Sequence, residues 1–131
     1  MKTTPKISDA EWDVMKIVWR TGGATAQQVH QALFAEKKWQ EATVKTLLNR
    51  LLRKRLLKPE RSAELGRAYL YRPLLSEKEC RAAEADSFLS RVFDGALNPL
   101  LAHFVASKKL SDREISELEA ILNSQGNRKG K

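Results

Sequence analysis

Apolar residues return at helical spacing in six stretches of the chain, and in one stretch the spacing changes to alternation. The most informative stretch runs from Trp39 to Lys58, WQEATVKTLLNRLLRKRLLK, where Val44, Leu47, Leu48, Leu51 and Leu52 recur at i, i+3, i+4, i+7 and i+8. That period predicts a helix from Gln40 or Glu41 to about Arg55, with one stripe committed to a core. Ala42, Thr46, Asn49, Arg50 and Arg53 oppose the leucines, with Thr43 and Lys45 on the flanks. Short hydroxyl and amide groups come first and long cations later. A helix entering the major groove by its N-terminus needs that order, because base edges are met first and phosphates afterwards. An ordinary amphipathic helix with a solvated basic face fits the same residues, so the flanking elements have to decide.

Upstream, Ile7-Ser8-Asp9-Ala10-Glu11-Trp12 combines a capping box, Ser8 to Glu11, with a staple pairing Ile7 and Trp12, so a first helix starts at Asp9. Its inner face is Trp12, Met15, Val18 and Trp19, and Thr21-Gly22-Gly23 ends it. Thr25 to Gln28 repeats the box for a second helix, whose buried side is Val29, Leu33 and Phe34; His30 falls near the surface with no special role. Glu36-Lys37-Lys38 is a short turn before the basic helix. Beyond Lys58, Pro59 cannot continue a helix, and Arg67 to Arg72 alternates like a strand. A two-stranded hairpin follows, with Arg61 and Arg67 at its tip. Helix, helix, helix, hairpin is the order of a winged helix-turn-helix.

After Pro73 three more helices are predicted. Ser76 to Glu79 is a third box, stapled by Leu75 and Cys80, and its helix carries Ala83, Phe88, Leu89, Val92 and Phe93 to a break at Asp94-Gly95. Asn98-Pro99 restarts a short helix bearing Leu100, Leu101, Phe104 and Val105. Ser111 to Glu114 is a fourth box, with Ile115, Leu118, Ile121 and Leu122 inside, and Asn123 to Lys131 is a polar basic tail expected to be disordered. These helices span fewer than about 60 residues, too few to enclose their own apolar surface. A second copy of the chain is the economical cover, burying Phe88, Leu97, Leu101, Phe104 and Leu118 against their equivalents. The fold class is therefore mainly α with a small β-hairpin wing. A winged-helix DNA-binding domain occupies 1–73, a three-helix dimerisation domain 74–124 and the tail 125–131.

Charge sharpens this division. Through Arg72 the chain has 15 Lys or Arg against 7 Asp or Glu, and beyond it 9 against 9, so the whole excess of +8 lies in the first part. A basic front with a neutral back points to a polyanion-binding lobe joined to something with another task. No apolar run approaches the roughly 18 residues of a membrane span, and the start has no hydrophobic signal core, so the expected location is cytoplasmic. The single Cys80 makes no internal disulfide, and His30 and His103 give no zinc spacing, so no metal or cofactor is expected. An enzyme is disfavoured: there is no nucleophile with a base, no Gly-rich phosphate loop and no carboxylate cluster.

Four blocks then become recognisable: ISDAEWDVMKIVW at the start, W-x-x-x-T-V-x-T-L-L-x-R-L from Trp39 to Leu51, G-R-x-Y-x-Y-x-P from Gly66 to Pro73, and S-F-L-x-R-x-F-x-G from Ser87 to Gly95. In this order, over about Ile7 to Leu122, they resemble the penicillinase-repressor family, which includes β-lactamase, methicillin-resistance and copper-responsive repressors. The resemblance implies a dimeric repressor that binds a palindromic operator in double-stranded DNA. By position Trp39, Thr43 and Thr46 match the family's operator contacts, and Arg50 and Arg67 its basic positions near the backbone. Copper-responsive members carry paired cysteines near the C-terminus, which this chain lacks. The β-lactamase type is released by cleavage of an Asn-Phe bond by a membrane sensor protease. Aligned on FDGALNPLLAHF, that bond falls at His103-Phe104, with Phe kept and Asn replaced.

On this reading Thr43, Thr46 and Asn49 meet base edges, and Lys45, Arg50, Arg53, Lys54 and Arg67 neutralise phosphates. Trp39 is either a packing anchor or a phosphate donor through its indole N–H. Two rivals share the fold class or the charge: a winged-helix regulator of another family sensing a small ligand, and a general nucleic-acid-binding module with no operator.

Overall fold

The structure, a computed structural model, describes residues 4–61, 63–66, 68–107 and 109–129, and among these the side chains of all but 63 and 126–129. In chain order the elements are α1 (Asp9–Thr21), α2 (Ala26–Lys37), α3 (Glu41–Arg53), β1 (Leu57–Arg61), a short 3-10 turn (Ala63–Leu65), β2 (Tyr69–Pro73), α4 (Glu77–Phe93), α5 (Leu97–Ala106) and α6 (Asp112–Lys129).

Capping chemistry sets four of the helix starts. Ser8 Oγ accepts from the Glu11 amide at 3.2 Å while Glu11 Oε1 accepts from the Ser8 amide at 2.8 Å. The same reciprocal pair joins Thr25 and Gln28, Ser76 and Glu79, and Ser111 and Glu114. Each satisfies two N–H groups that a helix start would otherwise leave without a partner. α1 ends where Gly22 turns into the left-handed region at φ 80° and donates to the Val18 carbonyl, a conformation that favours a residue without Cβ.

The chain forms two compact units, Met1–Ala85 and Asp86–Lys131, so the division falls inside α4. In the first unit α1, α2 and α3 pack on one another and on the antiparallel pair β1–β2, in which Leu57 opposes Pro73 and Arg61 opposes Tyr69. Ala24 pairs with Tyr71 as an isolated bridge that adds a third backbone segment beside the hairpin. Val14, Met15 and Val18 of α1, Val29 of α2, Val44, Leu48 and Leu51 of α3, and Leu56 and Leu57 leading into β1 are all sealed from solvent. Cys80 closes the same core from the first turn of α4. The second unit comprises the rest of α4, α5 and α6, and none of its described side chains is buried.

Several expectations need revising. Phe34 is not on the buried side of α2 but 47% exposed, because at helical spacing Val29 and Leu33 already fill the contact with the core. Val14 and Ile17 join the inner face of α1, while Trp12 and Trp19 sit at its half-buried edge with ring centroids 5.6 Å apart. Glu36 and Lys37 are the last residues of α2 rather than a turn, and α3 stops at Arg53, two residues short of Arg55. α6 continues to Lys129 instead of ending before Asn123. Ala83, Leu89 and Phe93 are half-buried and Phe88 and Val92 exposed, so the apolar side of α4 beyond Cys80 is not enclosed.

Candidate nucleic-acid interface

The start of α3 is held by the turn that precedes it. Lys38 adopts φ 57° and donates its amide to the Phe34 carbonyl, which ends α2. His30 then bridges the turn, Nε2 lying 3.0 Å from the Trp39 carbonyl oxygen. A carbonyl only accepts, so Nε2 is the donor in this contact. Trp39 packs half-buried against the core, with the Lys37 ammonium 6.0 Å from its ring centroid and Lys37 paired to Asp13 at 3.2 Å. His30, passed over in the sequence because a lone His near a surface has no periodic signature, is thus part of what aims α3.

Because Val44, Leu47, Leu48 and Leu51 face inward, helical spacing sends Thr43, Lys45, Thr46, Asn49, Arg50 and Arg53 outward, and all six are exposed. Thr46 Oγ1 donates to the Ala42 carbonyl at 3.1 Å, which leaves its oxygen lone pairs and methyl group available outward. Lys45 lies 3.9 Å from Glu41 with both side chains more than half exposed, a weak tether that a phosphate can replace. The side chains of Asn49, Arg50 and Arg53 make no hydrogen bond or ion pair among the described residues. The face is a preformed strip of small polar groups followed by unengaged guanidinium groups.

Lys54 does not join that strip. Its ammonium lies 2.6 Å from Glu11 Oε1 and 2.7 Å from the Lys6 carbonyl oxygen, so it ties the end of α3 to the start of α1. Glu11 is 1% exposed. Burial pushes its carboxyl up, but the hydrogen bond from Lys54, the Ser8 amide and hydroxyl, and the Lys54 charge together hold it below its ordinary value. A cation committed to a buried carboxylate is structural, and the expected phosphate role passes to its exposed neighbours.

On the hairpin, Arg61 donates to the Tyr69 hydroxyl at 3.1 Å and sits 4.7 Å from that ring's centroid, so its cation is stacked in place across the strand pair. Arg67 lies outside the described residues. Arg72 pairs with Glu60 at 2.7 Å and donates to the Gly22 carbonyl, pinning the hairpin to the end of α1. Between α2, α3 and the hairpin lies an open cleft of about 650 Å³ whose lining includes Gln27, Gln31, Lys45 and Tyr69.

In the second unit Phe88 is 38%, Leu97 47% and Phe104 37% exposed, with Leu101 and Leu118 half-buried. Leu101, Phe104, Leu110, Leu118 and Ile121 line a shallow apolar cleft of about 280 Å³. His103 and Phe104 lie within α5 with their rings edge to face at 5.4 Å. Among the described residues no three His, Cys, Asp or Glu side chains are grouped to hold a metal ion, and no helix is long and apolar enough to cross a membrane.

Comparison with known proteins places these features in a context. The penicillinase repressor family model matches residues 7–124. The chain is 36% identical over 129 residues, 98% of each chain, to the penicillinase repressor of Bacillus licheniformis. It is 32% identical over 122 residues, 93% of this chain and 97% of the relative, to the methicillin resistance regulatory protein MecI of Staphylococcus aureus strain N315. A solution structure of Bacillus licheniformis BlaI, in monomeric form in complex with the blaP half-operator, superposes with a TM-score of 0.51 at 34% identity. That match covers 60% of this chain and 93% of the other.

Proposed function

The chain belongs to the penicillinase repressor family, and from that premise we propose that it is a homodimeric repressor that reads a palindromic operator with two copies of α3. It is a DNA-binding transcriptional repressor with a winged-helix domain. The observation that carries the finer reading is the outward strip of α3, where Thr43, Thr46 and Asn49 precede the unengaged Arg50 and Arg53 on a rigid, fully packed support. Thr43 and Thr46 offer methyl and hydroxyl groups to thymine and to base edges, and Asn49 reaches adenine or a phosphate. Lys45, Arg50, Arg53 and Arg67 neutralise phosphates, Arg61 extends the contact along the hairpin, and Trp39 acts as the packing anchor of α3. Hydroxyl contacts are permissive, so half-site spacing and duplex shape supply much of the specificity.

Selection from random duplexes tests this reading. An inverted repeat should be recovered, and Arg50→Ala should weaken binding to operator and random DNA alike while lowering the salt slope by about 1 per subunit. Recovery of no symmetric site, or an unaltered slope in that variant, removes the corresponding part.

Dimerisation rests on α5 and the flanking helices, whose apolar side chains Phe88, Leu97, Leu101, Phe104 and Leu118 are exposed or only half-buried in their own unit. Two modestly binding domains held together act at high effective concentration, so separating them releases the operator without touching the DNA face. The peptide bond between His103 and Phe104 lies in the middle of that apolar side, and cutting it there, by a membrane sensor protease, divides the dimer contact. Protein that stays intact when incubated with the matching protease removes cleavage and leaves the repressor reading standing. The site of action, alongside the operator, is the cytoplasm.

A further inference from the structure

The end of α3 closes by a left-handed turn in which Arg55 donates its amide to the Leu52 carbonyl and Leu56 donates to the Leu51 carbonyl, both at 3.0 Å. This is the double-bonded Schellman termination. Leu51 and Leu56 are both sealed in the core, so the turn is required to bring the chain from α3 into β1. Its pivot must have positive φ, and Arg55 has φ 63°. Glycine occupies such a pivot without penalty, whereas an arginine suffers a clash between Cβ and backbone. α1 uses Gly22 for the corresponding turn.

Among the described residues no side-chain contact repays the arginine. Lys38, in the same conformation after α2, has its ammonium 5.4 Å from the Phe34 ring centroid. Arg55 is exposed, with no side-chain partner among the described residues, and it follows Arg50 and Arg53 and precedes Lys58, all cations. The end of α3 attracts positive charge, but Arg50, Arg53 and the inward Lys54 already supply it.

We infer that Arg55 is a contact to the DNA phosphodiester backbone, retained in a strained conformation because it adds an exposed, unpartnered cation after Arg50 and Arg53 at the end of the helix. The inference rests on the DNA-binding reading above. Strained residues that persist against a cheaper alternative are commonly those that function needs.

Three substitutions in the full-length chain separate charge from strain. The probe is a 30-bp duplex of arbitrary sequence, titrated between 50 and 200 mM KCl, with urea unfolding followed in parallel at one fixed protein concentration. Arg55→Lys should keep both affinity and salt slope. Arg55→Gln should bind about threefold to tenfold more weakly, with the slope reduced by about 0.9 per bound subunit and the urea midpoint unchanged. Arg55→Gly should lose the same slope while its urea midpoint rises, the unfolding equilibrium constant falling roughly threefold to tenfold. Opposite signs in the two measurements are the signature of a residue kept for binding. Wild-type affinity and slope in both Arg55→Gln and Arg55→Gly overturn the inference while leaving the repressor reading intact. A wild-type chain that binds no duplex overturns that reading and this one together.

Discussion

The two units of the chain carry the same kind of pattern and meet opposite fates. In the first, each helix and each strand contributes to one core, and Ile7, Val14, Met15, Val29, Leu48, Leu51, Leu56 and Cys80 are buried together. In the second, α5 reads LNPLLAHFVA, yet it has no buried residue, and Ile121 and Leu122 of α6 are 64% and 53% exposed. Amphipathic periodicity states that a face has to be covered and is silent about what covers it. α1, α2 and β1 of the same unit cover α3. No residue of α5 is enclosed by its own unit, so in the dimer proposed above its stability would be tied to an association that dilution can undo.

The largest expected effect comes from making that dependence visible. Leu101→Asp places a charge on the apolar side of α5 in a unit that has no enclosed core to lose. The variant should sediment as a monomer, keep the helicity of its first unit, and bind the palindrome about 10²- to 10⁴-fold more weakly, the range that effective concentration supplies. Unchanged sedimentation would break the contrast between the units. Leu48→Ala sharpens it from the other side. Leu48 is fully buried, so its truncation should cost about 2–5 kcal/mol whatever the protein concentration. Ile121→Ala, outside any core of its own unit, should cost well under about 1 kcal/mol at dilutions where the chain is monomeric.

Within the first unit, Lys54→Met tests the pair that ties α3 to α1. Losing one partner of a buried ion pair costs about 3–5 kcal/mol; here about 2–3 kcal/mol is expected, because Lys54 is one third exposed and its charge is partly screened. The pH dependence has a definite sign. The Glu11 carboxyl is held below its ordinary value of 4.5, so it contributes stability above that pH and loses it as acid takes the pH down through the lowered folded value. Without Lys54 the strongest lowering partner is gone and burial prevails, so protonation relieves the fold instead. Urea midpoints of wild type and variant should therefore converge as the pH falls below about 4.5. A constant gap would show that the pair contributes through packing alone.

The difference between the units also explains what could be read from residues alone. Helix starts were legible nearly to the residue, because a capping box is local: Ser8 with Glu11, Thr25 with Gln28, Ser76 with Glu79, Ser111 with Glu114. The inward face of α3 was legible because five aliphatic residues obey one period. Side chains whose partners are distant in sequence were not. Lys54 looked like one more cation of the basic strip, and only folding brings it to Glu11, 43 residues away. His30 gained its role from a turn nine residues on. Phe34 follows Leu33 on the helical wheel and is carried past the core edge by one hundred degrees of rotation. At Arg55 a helix-forming residue hid a turn that a glycine would have announced.

The smallest effect on stability is expected at Thr46, and it separates support from readout on α3 itself. Thr46 Oγ1 is bonded back to the Ala42 carbonyl, so the side chain holds no other element in place. Replacing it with Ala removes a β-branched residue from a helix interior and should leave the unfolding free energy unchanged or raise it by up to about 0.5 kcal/mol. Any loss of binding therefore cannot be assigned to a weakened fold. If the Thr46 methyl and hydroxyl meet base edges, Thr46→Ala should lose about 1–3 kcal/mol on the selected palindrome and almost nothing on a random duplex, since phosphate contacts are untouched. Equal losses on both duplexes would make Thr46 a backbone contact and move the reading of bases to Thr43 and Asn49.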